Sequence, residues 1–517
     1  MKKRSFLCAL ILPGLLACQK PGEPASDARI DNPRKPNFVF IFADDQAPQT
    51  IAAYGKRELH TPNLDRLAQQ GVNFRNAHNM GAWTGAVCLS SRTMLNSGLS
   101  LWDAYSIHDR YSHGEAYAEI WSKLLEKAGY STYLTGKWHV AARASAVFQH
   151  LEHERPGMPR DAWNFDEQRT RFADLAAGKG PYHDWREFMP VGYNRPLGPD
   201  DTSWSPSDPS FGGFYEGGQH WSEVLRDDAL KFIKEAQASD EPFFMYLAFN
   251  APHDPRQAPQ AYQDLYKAED LRLPPSWQPE YPEKDWIGNG PQTRDAALAP
   301  FPRTEYATRV HLKEYYASIS HLDAQIGDIL DALEAAQLMD NTYIIYTADH
   351  GLAVGEHGLF GKQNMYEHSV RAPFIVLGPD MRGGRHVEAN IYLQDAMATT
   401  LDLAGIPKPA HVFFNSVAGL ARGTQTESVY PAIYGAYINS QRMIKKDGFK
   451  LIVYPEAKRL KLFNLREDPD ETRDLSAQAE YQAKLHSLFE ELVALQTQMN
   501  DRLDIRALAP KDKDRRS

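Results

Sequence analysis

Four short apolar runs, each ending in a cluster of polar residues, constrain the fold of this chain more than any other feature. Each run has the length and the apolar character of a buried strand. The runs and their clusters are 37–42 before Asp44-Asp45, 131–135 before Gly136–His139, 242–249 before Asn250–His253, and 342–347 before Asp349–Gly351. Because the runs are apolar almost throughout, we expect strands that are covered on both faces.

Helical patterns separate these runs. Thr61-Pro62 marks a helix start, residues 119–127 form a second pattern, and residues 311–336 carry apolar side chains at three- and four-residue spacing. Strands alternating with helices indicate an α/β fold with a large, mostly parallel central sheet flanked by helices. In such sheets functional groups collect beyond the carboxyl ends of the strands. We therefore expect the four polar clusters to meet at one sheet edge.

The chain changes character after residue 410. Short strand-like segments joined by tight turns precede a helical pattern at 479–499. These segments are 430–434, 442–444, 449–453 and 460–463. The pattern predicts a main domain at residues 37–410, which carries the four polar clusters, and a smaller C-terminal subdomain at residues 411–517, built from an antiparallel sheet and one helix.

The first 36 residues have the composition of a processing signal and a tether. A basic start at Lys2-Lys3-Arg4 precedes an apolar stretch at 6–16 that is too short to remain as a membrane-spanning helix. The stretch ends in Leu15-Leu16-Ala17-Cys18, which resembles a bacterial lipobox. This predicts a lipoprotein signal peptide at residues 1–17, with a plain signal peptide as the alternative. Residues 18–36 are expected to form a flexible tether.

The same signal predicts export. Cys18 would carry the lipid anchor, and the protein would be periplasmic or on the cell surface, attached to a bacterial membrane, with the outer membrane expected. The other two cysteines are Cys8, inside the predicted signal, and Cys88, which leaves no intramolecular disulfide for the mature chain. A solitary cysteine is usually a small buried hydrophobe. A reactive role for Cys88 therefore depends on its neighbours.

Charge narrows the class of partner. The formal net charge is −10, which argues against a nucleic-acid partner because such a partner normally requires a basic face. An anionic small substrate stays compatible with this charge if a few cations are concentrated in one pocket.

Asp44-Asp45 and Asp349-His350 provide four potential metal ligands at two strand ends. A turn or a helix cap explains either pair alone equally well, but two pairs at the same sheet edge indicate a metal site. Carboxylate oxygens favour a hard cation, Ca²⁺ with Mg²⁺ as the alternative. The His350 nitrogen leaves a transition metal open.

Cations form the second group of polar residues at these strand ends. Lys137 directly follows an apolar strand, and Lys362 lies in a glycine-containing loop after a ligand pair. Together with Arg92, and with His139 and His253 nearby, these lysines would complement an anionic tetrahedral group. Solvated surface charge is the alternative role for each of them.

The segment Cys88-Leu89-Ser90-Ser91-Arg92 resembles the signature of the type I, formylglycine-dependent sulfatases: Cys, any residue, usually Pro, any residue, then Arg. Further landmarks follow the order of that family: Asp44-Asp45, Gly136–His139, Ala251-Pro252-His253, Asp349-His350-Gly351 and Gly361-Lys362. Phrases at 61–65, 401–407 and 463–469 extend the resemblance over residues 37–476. It implies an alkaline-phosphatase-like fold and hydrolysis of sulfate esters.

The resemblance also implies a modified residue and a metal. A maturation enzyme would convert Cys88 to formylglycine, whose hydrate has two hydroxyls on one carbon. One hydroxyl would attack sulfur, and the other would later expel the sulfate. The implied metal ligands are Asp44, Asp45, Cys88, Asp349 and His350.

The remaining implied roles fall on cations and histidines. Arg92 and Lys137 would hold the residue derived from Cys88, and Lys362 would neutralise the sulfuryl oxygens. His253 would protonate the leaving alcohol, and His139 would take the proton from the second hydroxyl. A helix suggested after Cys88, at residues 93–96, would add backbone donors at its N-terminus that favour anions.

Two departures and two alternatives accompany this hypothesis. Ser90 stands where the family prefers Pro or, less often, Ala, and this difference affects how efficiently the maturation enzyme would recognise the segment. His350 stands where many members have Asn. One alternative is a phosphonate monoester hydrolase or phosphodiesterase of the same superfamily, which shares much of this residue set. The other is a lipoprotein that binds sulfated glycan without cleaving it, should Cys88 stay unmodified.

The expected substrate is a sulfated polysaccharide or its oligosaccharides. Two long segments with little periodicity, 155–215 and 255–310, are expected to be loops that shape a substrate entrance. An anchored, exported enzyme with such loops suits a sulfated glycan better than a small aryl sulfate. Candidate sugar-binding residues, with ordinary loop packing as the alternative, are Trp83, Tyr105, His108, His220 and Trp221.

Overall fold

The structure is a computed structural model that describes residues 34–55, 58–161, 165–381 and 383–510. The predicted signal peptide and all but the last three residues of the predicted tether lie outside the described residues. From Lys35 onward the described residues belong to one compact unit, and the domain boundary expected near residue 410 stays a prediction. Among the described helices, none combines the length and the apolar composition needed to cross a bilayer.

The described residues form strands and helices with the following bounds. The strands are β1 (Asn37–Ala43), β2 (Val72–Phe74), β3 (Ala77–His78), β4 (Gly81–Ala82), β5 (Ser131–Lys137), β6 (His150–Arg155), β7 (Tyr215–Glu216), β8 (Gln219–His220), β9 (Phe243–Ala248), β10 (Thr342–Ala348), β11 (Ala353–Val354), β12 (Phe360–Gly361), β13 (Arg371–Ala372), β14 (Phe374–Leu377), β15 (Arg385–Val387), β16 (Ile391–Tyr392), β17 (Ile433–Tyr437), β18 (Gln441–Lys446), β19 (Phe449–Tyr454) and β20 (Arg459–Asn464). The α-helices are α1 (Pro62–Gln70), α2 (Val87–Ser97), α3 (Leu101–Ser112), α4 (Trp121–Lys127), α5 (Ala144–Val147), α6 (Phe165–Ala176), α7 (Trp221–Gln237), α8 (Gln260–Gln263), α9 (Glu305–Ala335), α10 (Glu367–Val370), α11 (Asp395–Leu403), α12 (Ala418–Arg422) and α13 (Gln482–Gln498).

A central sheet of eight strands carries the fold, in the order β15-β2-β14-β10-β1-β9-β5-β6. Strands β10, β1, β9, β5 and β6 run parallel to one another, and β2 and β15 pair in parallel. Strand β14 lies between these two groups and runs antiparallel to both of its neighbours, β10 and β2. The predicted α/β fold with a large, mostly parallel sheet is therefore confirmed.

Helices cover both faces of this sheet. All seven residues of β1 are buried, and because successive strand side chains point to opposite faces, neither face is open to solvent. Phe40 of β1 packs edge-on against Trp121 of α4, with ring centroids 5.0 Å apart. Helix α9 begins six residues earlier than its apolar spacing predicts, because the Thr304 side chain accepts a hydrogen bond from the Ala307 amide and caps it.

The smaller C-terminal sheet confirms the expected antiparallel arrangement. Strands β17 to β20 pair antiparallel in sequence order, and α13 packs against β18 and β19. The sheet gains a fifth strand from the N-terminal half, since β4 pairs in parallel with β17. Gly81 of β4 has φ +110°, and a Cβ there would lie 1.8 Å from the Ala436 carbonyl oxygen, so only glycine fits. The small sheet thereby holds the segment that leads into α2.

Candidate active site

The two acidic pairs meet because β1 and β10 are adjacent parallel strands. Ala43 lies opposite Ala348 in the register, so Asp44 and Asp349 leave the sheet side by side. The Asp45 amide donates to Asp349 Oδ1 at 3.2 Å. Asp44, Asp45 and Asp349 are fully buried, and His350 is 1% exposed. The expected meeting of the two pairs at one sheet edge is what the structure shows.

The unpaired atoms of this cluster fit a divalent cation. Asp44, Cys88, Asp349 and His350 each place one potential ligand atom within 4.8 Å of the others. Asp44 Oδ1 and His350 Nε2 are buried without a hydrogen-bond partner among the described residues, which is unusual for buried polar atoms. His350 Nε2 lies 3.1 Å from Asp45 Oδ1. His350 Nδ1 is 2.8 Å from the Gly351 carbonyl oxygen. Burial lowers the pKa of this imidazole, but the charges of Asp349 and Asp45 raise it more. With Nδ1 donating to the Gly351 oxygen, the neutral form of the ring would present the lone pair of Nε2 to a metal that displaces the proton.

Electrostatics give the same indication. Burial raises the pKa of Asp44 well above its ordinary value, and the neighbouring charge of Asp349 raises it further. Burial would also raise the pKa of Asp349, but the charges of His350, Arg92 and Lys137 outweigh burial and hold that pKa well below its usual range. Carboxylates crowded into a buried site repel one another, so additional positive charge would stabilise their ionised forms.

Cys88 lies in the first turn of α2. The sequence predicts a helix only at 93–96, after the cysteine, but the helix begins at Val87. The N-terminus of a helix favours negative charge. Burial raises the pKa of the Cys88 thiol, but the charges of Lys137, His139 and Lys362 lower it more, so the net pKa lies well below its ordinary value. His139 Nδ1 is 3.4 Å from Cys88 Sγ. The solitary cysteine therefore lies in an environment suited to a negatively charged group.

Arg92 and Lys137 hold the acidic cluster together. Arg92 lies four residues after Cys88 on α2; its Nε donates to Asp349 Oδ2 at 3.0 Å and its Nη1 to the Lys137 carbonyl oxygen at 2.5 Å. Lys137 Nζ, at the end of β5, donates to Asp44 Oδ2. Their direct partners are thus the proposed metal ligands.

Lys362 and His253 form the opposite wall. Lys362 Nζ donates to Asp45 Oδ1 at 2.7 Å and lies 3.0 Å from His253 Nε2. His253 Nδ1 is 2.7 Å from the Asp254 carbonyl oxygen, and donation to that oxygen fixes the ring. Burial lowers the pKa of His253 well below its ordinary value, and the charges of Lys362, Lys137 and Arg294 lower it further. Burial and these charges therefore favour the neutral imidazole.

Sequence reasoning missed three charged residues beside His253. Arg294 Nη1 pairs with Asp254 and donates to the Tyr193 hydroxyl at 3.1 Å, and its Nη2 lies against Asp295. Arg294 and Asp295 belong to the aperiodic segment 255–310, where no spacing distinguishes them from other loop residues. Asp254 had one weak indication, its position directly after His253. The structure thus adds an arginine and two carboxylates to the site.

All ten predicted site residues gather around or beneath one cavity of about 370 Å³. The two long segments expected to shape an entrance both contribute to its wall, and so does β17 of the small sheet. Its lining residues are Gly85, Ala86, Cys88, His139, Gly157, Met158, His253, Gln292, Thr293, Arg294, Asp295, Lys362, Gln363 and Tyr437. Its volume lies within the range of small-molecule sites.

The five candidate sugar-binding residues are not among the described residues that line this cavity. His220 is buried and caps α7, since its Nδ1 accepts from the Ser222 amide at 3.1 Å. Trp221 packs against Phe214, with ring centroids 5.3 Å apart. The other three candidates, Trp83, Tyr105 and His108, form an aromatic cluster. In it the Trp83 ring lies 5.7 Å from the Tyr105 ring and 6.1 Å from the His108 ring. Packing is therefore the role that the structure gives to His220. Trp221 also lines a second cavity of about 770 Å³, which shares His139 and Gly157 with the first, so its sugar-binding role stays a prediction.

Comparison with known proteins agrees with this site. The chain matches the family model Sulfatase over residues 36–406 and the model N-sulphoglucosamine sulphohydrolase, C-terminal, over residues 355–498. An arylsulfatase from Clostridium perfringens (strain 13 / Type A) is 29% identical over 477 residues, which covers 88% of this chain and 93% of that protein.

Two solved structures share the fold. A protein in complex with its substrate D-glucosamine-2-N,6-O-disulfate aligns with a TM-score of 0.67 and 21% identity, covering 91% of this chain and 100% of the other. The phosphonate monoester hydrolase of Agrobacterium radiobacter aligns with a TM-score of 0.66 and 20% identity, covering 90% and 96%. These likenesses confirm the alkaline-phosphatase-like fold. Because the Sulfatase model covers well over half of the chain, the protein belongs to the sulfatase family and is a sulfuric ester hydrolase.

Proposed function

We propose that the protein hydrolyses sulfate esters of a sulfated polysaccharide or its oligosaccharides, with a formylglycine formed from Cys88 and a divalent cation, Ca²⁺ in first place. One observation carries this proposal. Cys88 shares a buried, ligand-rich cluster with Asp44, Asp349 and His350 and also lines the cavity that Lys362 and His253 enclose. A nucleophile, a cation site and a proton donor therefore face the same space.

Two comparisons support a sulfated sugar as the substrate class. A structure of the same fold was solved with a sulfated glucosamine, and residues 355–498 match a C-terminal model named for N-sulphoglucosamine sulphohydrolase. The cavity wall beyond His253 also offers both hydrogen-bond donors and acceptors, as a sugar ring with several hydroxyls requires.

Asp44, Asp45, Asp349 and His350 would hold the cation, together with the residue derived from Cys88. When bound, the cation would supply Lewis-acid stabilisation of charge on oxygen and lower the pKa of a hydroxyl beside it. The formylglycine hydrate would supply two hydroxyls on one carbon, so that the bound sulfate can be expelled without a second hydrolysis.

The chain's own residues would carry the protons and the charge. Lys362 Nζ faces the cavity beside Asp45 and would neutralise the sulfuryl oxygens. His139 Nδ1 lies 3.4 Å from Cys88 Sγ, close enough to take a proton from a hydroxyl on that residue. His253 would donate a proton to the leaving alcohol. An anionic ester bound beside His253 favours its protonated form and so opposes the effect of burial on its pKa.

His253→Ala should reduce kcat/KM for sugar sulfates by about 10²–10⁴-fold, because loss of a general acid leaves a poor leaving group unprotonated. The loss should be much smaller for 4-nitrophenyl sulfate, whose leaving group needs little protonation. Steady-state rates on both substrates give the comparison. His153→Ala, at a half-exposed histidine on β6, is the matched control and should change neither rate.

His139→Ala should instead release one burst of alcohol and then stall, because the proton that must leave before the bound sulfate departs has no acceptor. Rapid-quench measurement of alcohol release would show a burst close to one equivalent per active site. Equal losses on both substrates for both variants, with no burst, would mean that the two roles are misassigned.

The proposed activity is tested by release of inorganic sulfate from a panel of sulfated mono- and oligosaccharides by protein co-expressed with a formylglycine-forming enzyme. Hydrolysis of at least one sugar sulfate faster than any phosphonate monoester or phosphodiester supports the proposal. Faster hydrolysis of a phosphorus ester would favour the phosphonate monoester hydrolase that shares the fold. Binding of the sulfated sugars without sulfate release would indicate a glycan-binding protein.

We also propose that the protein is exported and lipid-anchored at Cys18, which places it where sulfated polysaccharides are encountered. Membrane fractionation of Cys18→Ser against the parent checks this: the parent should sediment with the membranes and the variant should not.

A further inference from the structure

Arg294 and Asp295 lie where the sugar that carries the sulfate ester must sit. Both line the cavity that contains Cys88, and Arg294 Nη2 is 3.4 Å from His253 Nε2. His253 is the proposed proton donor to the ester oxygen, so that oxygen would lie beside His253. A substituent on the adjacent ring carbon would then lie close to the ester oxygen and to Arg294. These two side chains are therefore placed to contact that substituent.

Asp295 presents a carboxylate to this cavity. Its side chain is 2% exposed, and its Oδ2 accepts from Gln363 Nε2 at 2.9 Å. Its Oδ1 pairs with the Arg294 guanidinium, and each carboxylate oxygen keeps a further lone pair with which to accept a hydrogen bond from a ligand. Burial would raise the pKa of Asp295, but Arg294, Lys362 and the Gln363 hydrogen bond lower it to about 2. An ionised carboxylate only accepts hydrogen bonds, so it favours a ligand group that donates.

Arg294 supplies the matching donors and is held in place. Asp254 and the Tyr193 hydroxyl fix its Nη1, and the side chain is 18% exposed. Its single positive charge lies between two carboxylates, Asp254 and Asp295. With Lys362 Nζ 3.8 Å from Asp295 Oδ2, the two cations and two carboxylates of this wall balance, so it offers no excess positive charge to a second anionic substituent. A hydroxyl, which both donates and accepts, would find a partner for each function.

We propose that Arg294 and Asp295 recognise a free hydroxyl on the carbon next to the sulfate ester, so that the substrate is a sugar sulfate whose vicinal position is not itself sulfated. The inference rests on the proposed function, because it places the ester oxygen beside His253. Both residues would contact the substrate directly and would set specificity without touching the sulfuryl group.

The first test uses the parent enzyme, with Cys88 converted, and three matched monosaccharides. They carry the same sulfate ester, with a free vicinal hydroxyl, with a vicinal hydrogen (the deoxy sugar), or with a vicinal sulfate. We expect kcat/KM for the hydroxyl sugar to exceed that of the other two by about 10–100-fold, the range for hydrogen bonds to charged groups. Hydrolysis of the disulfated sugar as fast as, or faster than, the hydroxyl sugar would overturn the proposal and show that Arg294 binds an anion.

The second test uses Asp295→Asn, which keeps the shape of the side chain and replaces one acceptor oxygen by a donor. The ratio of kcat/KM on the hydroxyl sugar to that on 4-nitrophenyl sulfate should fall by about tenfold or more. A ratio is measured within one preparation, so partial misfolding cancels, and if the variant does not fold at all, the three-sugar comparison decides alone. An unchanged ratio in folded Asp295→Asn would overturn the proposal.

Asp285→Asn is the matched control. Asp285 lies on the same segment, but its carboxylate is 66% exposed and pairs with Lys284 at 3.2 Å. Its substitution should leave the ratio unchanged. Should the parent enzyme hydrolyse neither the sugar sulfates nor 4-nitrophenyl sulfate, the proposed function fails and this inference with it. Should it hydrolyse them without distinguishing the vicinal group, only the inference fails.

Discussion

Cys88→Ala should lower sulfate release by at least about 10⁴-fold while the protein still folds, because a covalent nucleophile has no substitute in the site. Cys88 is buried in the first turn of α2, and alanine is a good helix former that removes only the sulfur. The measurement is kcat/KM on 4-nitrophenyl sulfate and on the best sugar sulfate, with thermal unfolding to confirm that the variant is folded.

Ser90→Ala is the control for this experiment. Ser90 is fully buried two residues along the same helix, and its hydroxyl has no hydrogen-bond partner among the described residues. Alanine there removes an unsatisfied polar group and also introduces a residue that the family accepts at this position. Activity should be kept or, if maturation improves, increased. Cys88→Ala activity within about tenfold of the matured parent would contradict the nucleophile assignment, since losing a covalent nucleophile costs far more.

Stripping divalent cations with a chelator should lower kcat/KM by about 10³-fold, because Lewis-acid stabilisation contributes several kcal/mol at such sites. Ca²⁺ or Mg²⁺ should restore activity, since three of the four proposed side-chain ligands besides Cys88 are carboxylates. Added Ca²⁺ should also raise the unfolding temperature of the stripped protein, because a cation that binds only the folded state stabilises it.

Asp44→Asn separates this site from other acidic clusters. The variant should lose both the activity and the Ca²⁺-dependent rise in unfolding temperature. Glu152→Gln is the matched control, because Glu152, His153 and Asp228 also bring three potential ligand atoms together, at a position more open to solvent. This control should respond to Ca²⁺ as the parent does. Rescue by Zn²⁺ alone would show that the His350 nitrogen, rather than the carboxylates, governs the choice of metal.

The amino-acid pattern alone predicts those site residues that follow directly after a strand. An apolar run can be recognised locally, and the residue after it must emerge at the sheet edge, so the pattern places Asp44, Lys137, His253 and Asp349 together. The order of the strands, which brings these particular ends into contact, is seen only in the structure; the general rule gives only that functional groups collect at the carboxyl ends.

The rest of the site depends on contacts between segments that carry no local pattern. Arg294 and Asp295 reach the cavity from an irregular segment whose path is set by packing against the sheet edge. The predicted start of α2 was wrong because residues 87–92 lack an apolar period: Ser90, Ser91 and Arg92 are all buried. They are buried because they lie beneath the cavity, with Arg92 paired to Asp349. Apolar spacing therefore fails to predict a helix whose buried face is made of polar residues of the site instead of apolar core residues.

Mass spectrometry of the Cys88 peptide from catalytically active protein tests the central claim most directly. If a formylglycine formed from Cys88 is the nucleophile, the active fraction should carry an aldehyde or its hydrate in place of the thiol, and specific activity should rise in proportion to the converted fraction. Full sulfatase activity in protein whose Cys88 peptide carries only the unmodified thiol would contradict the account.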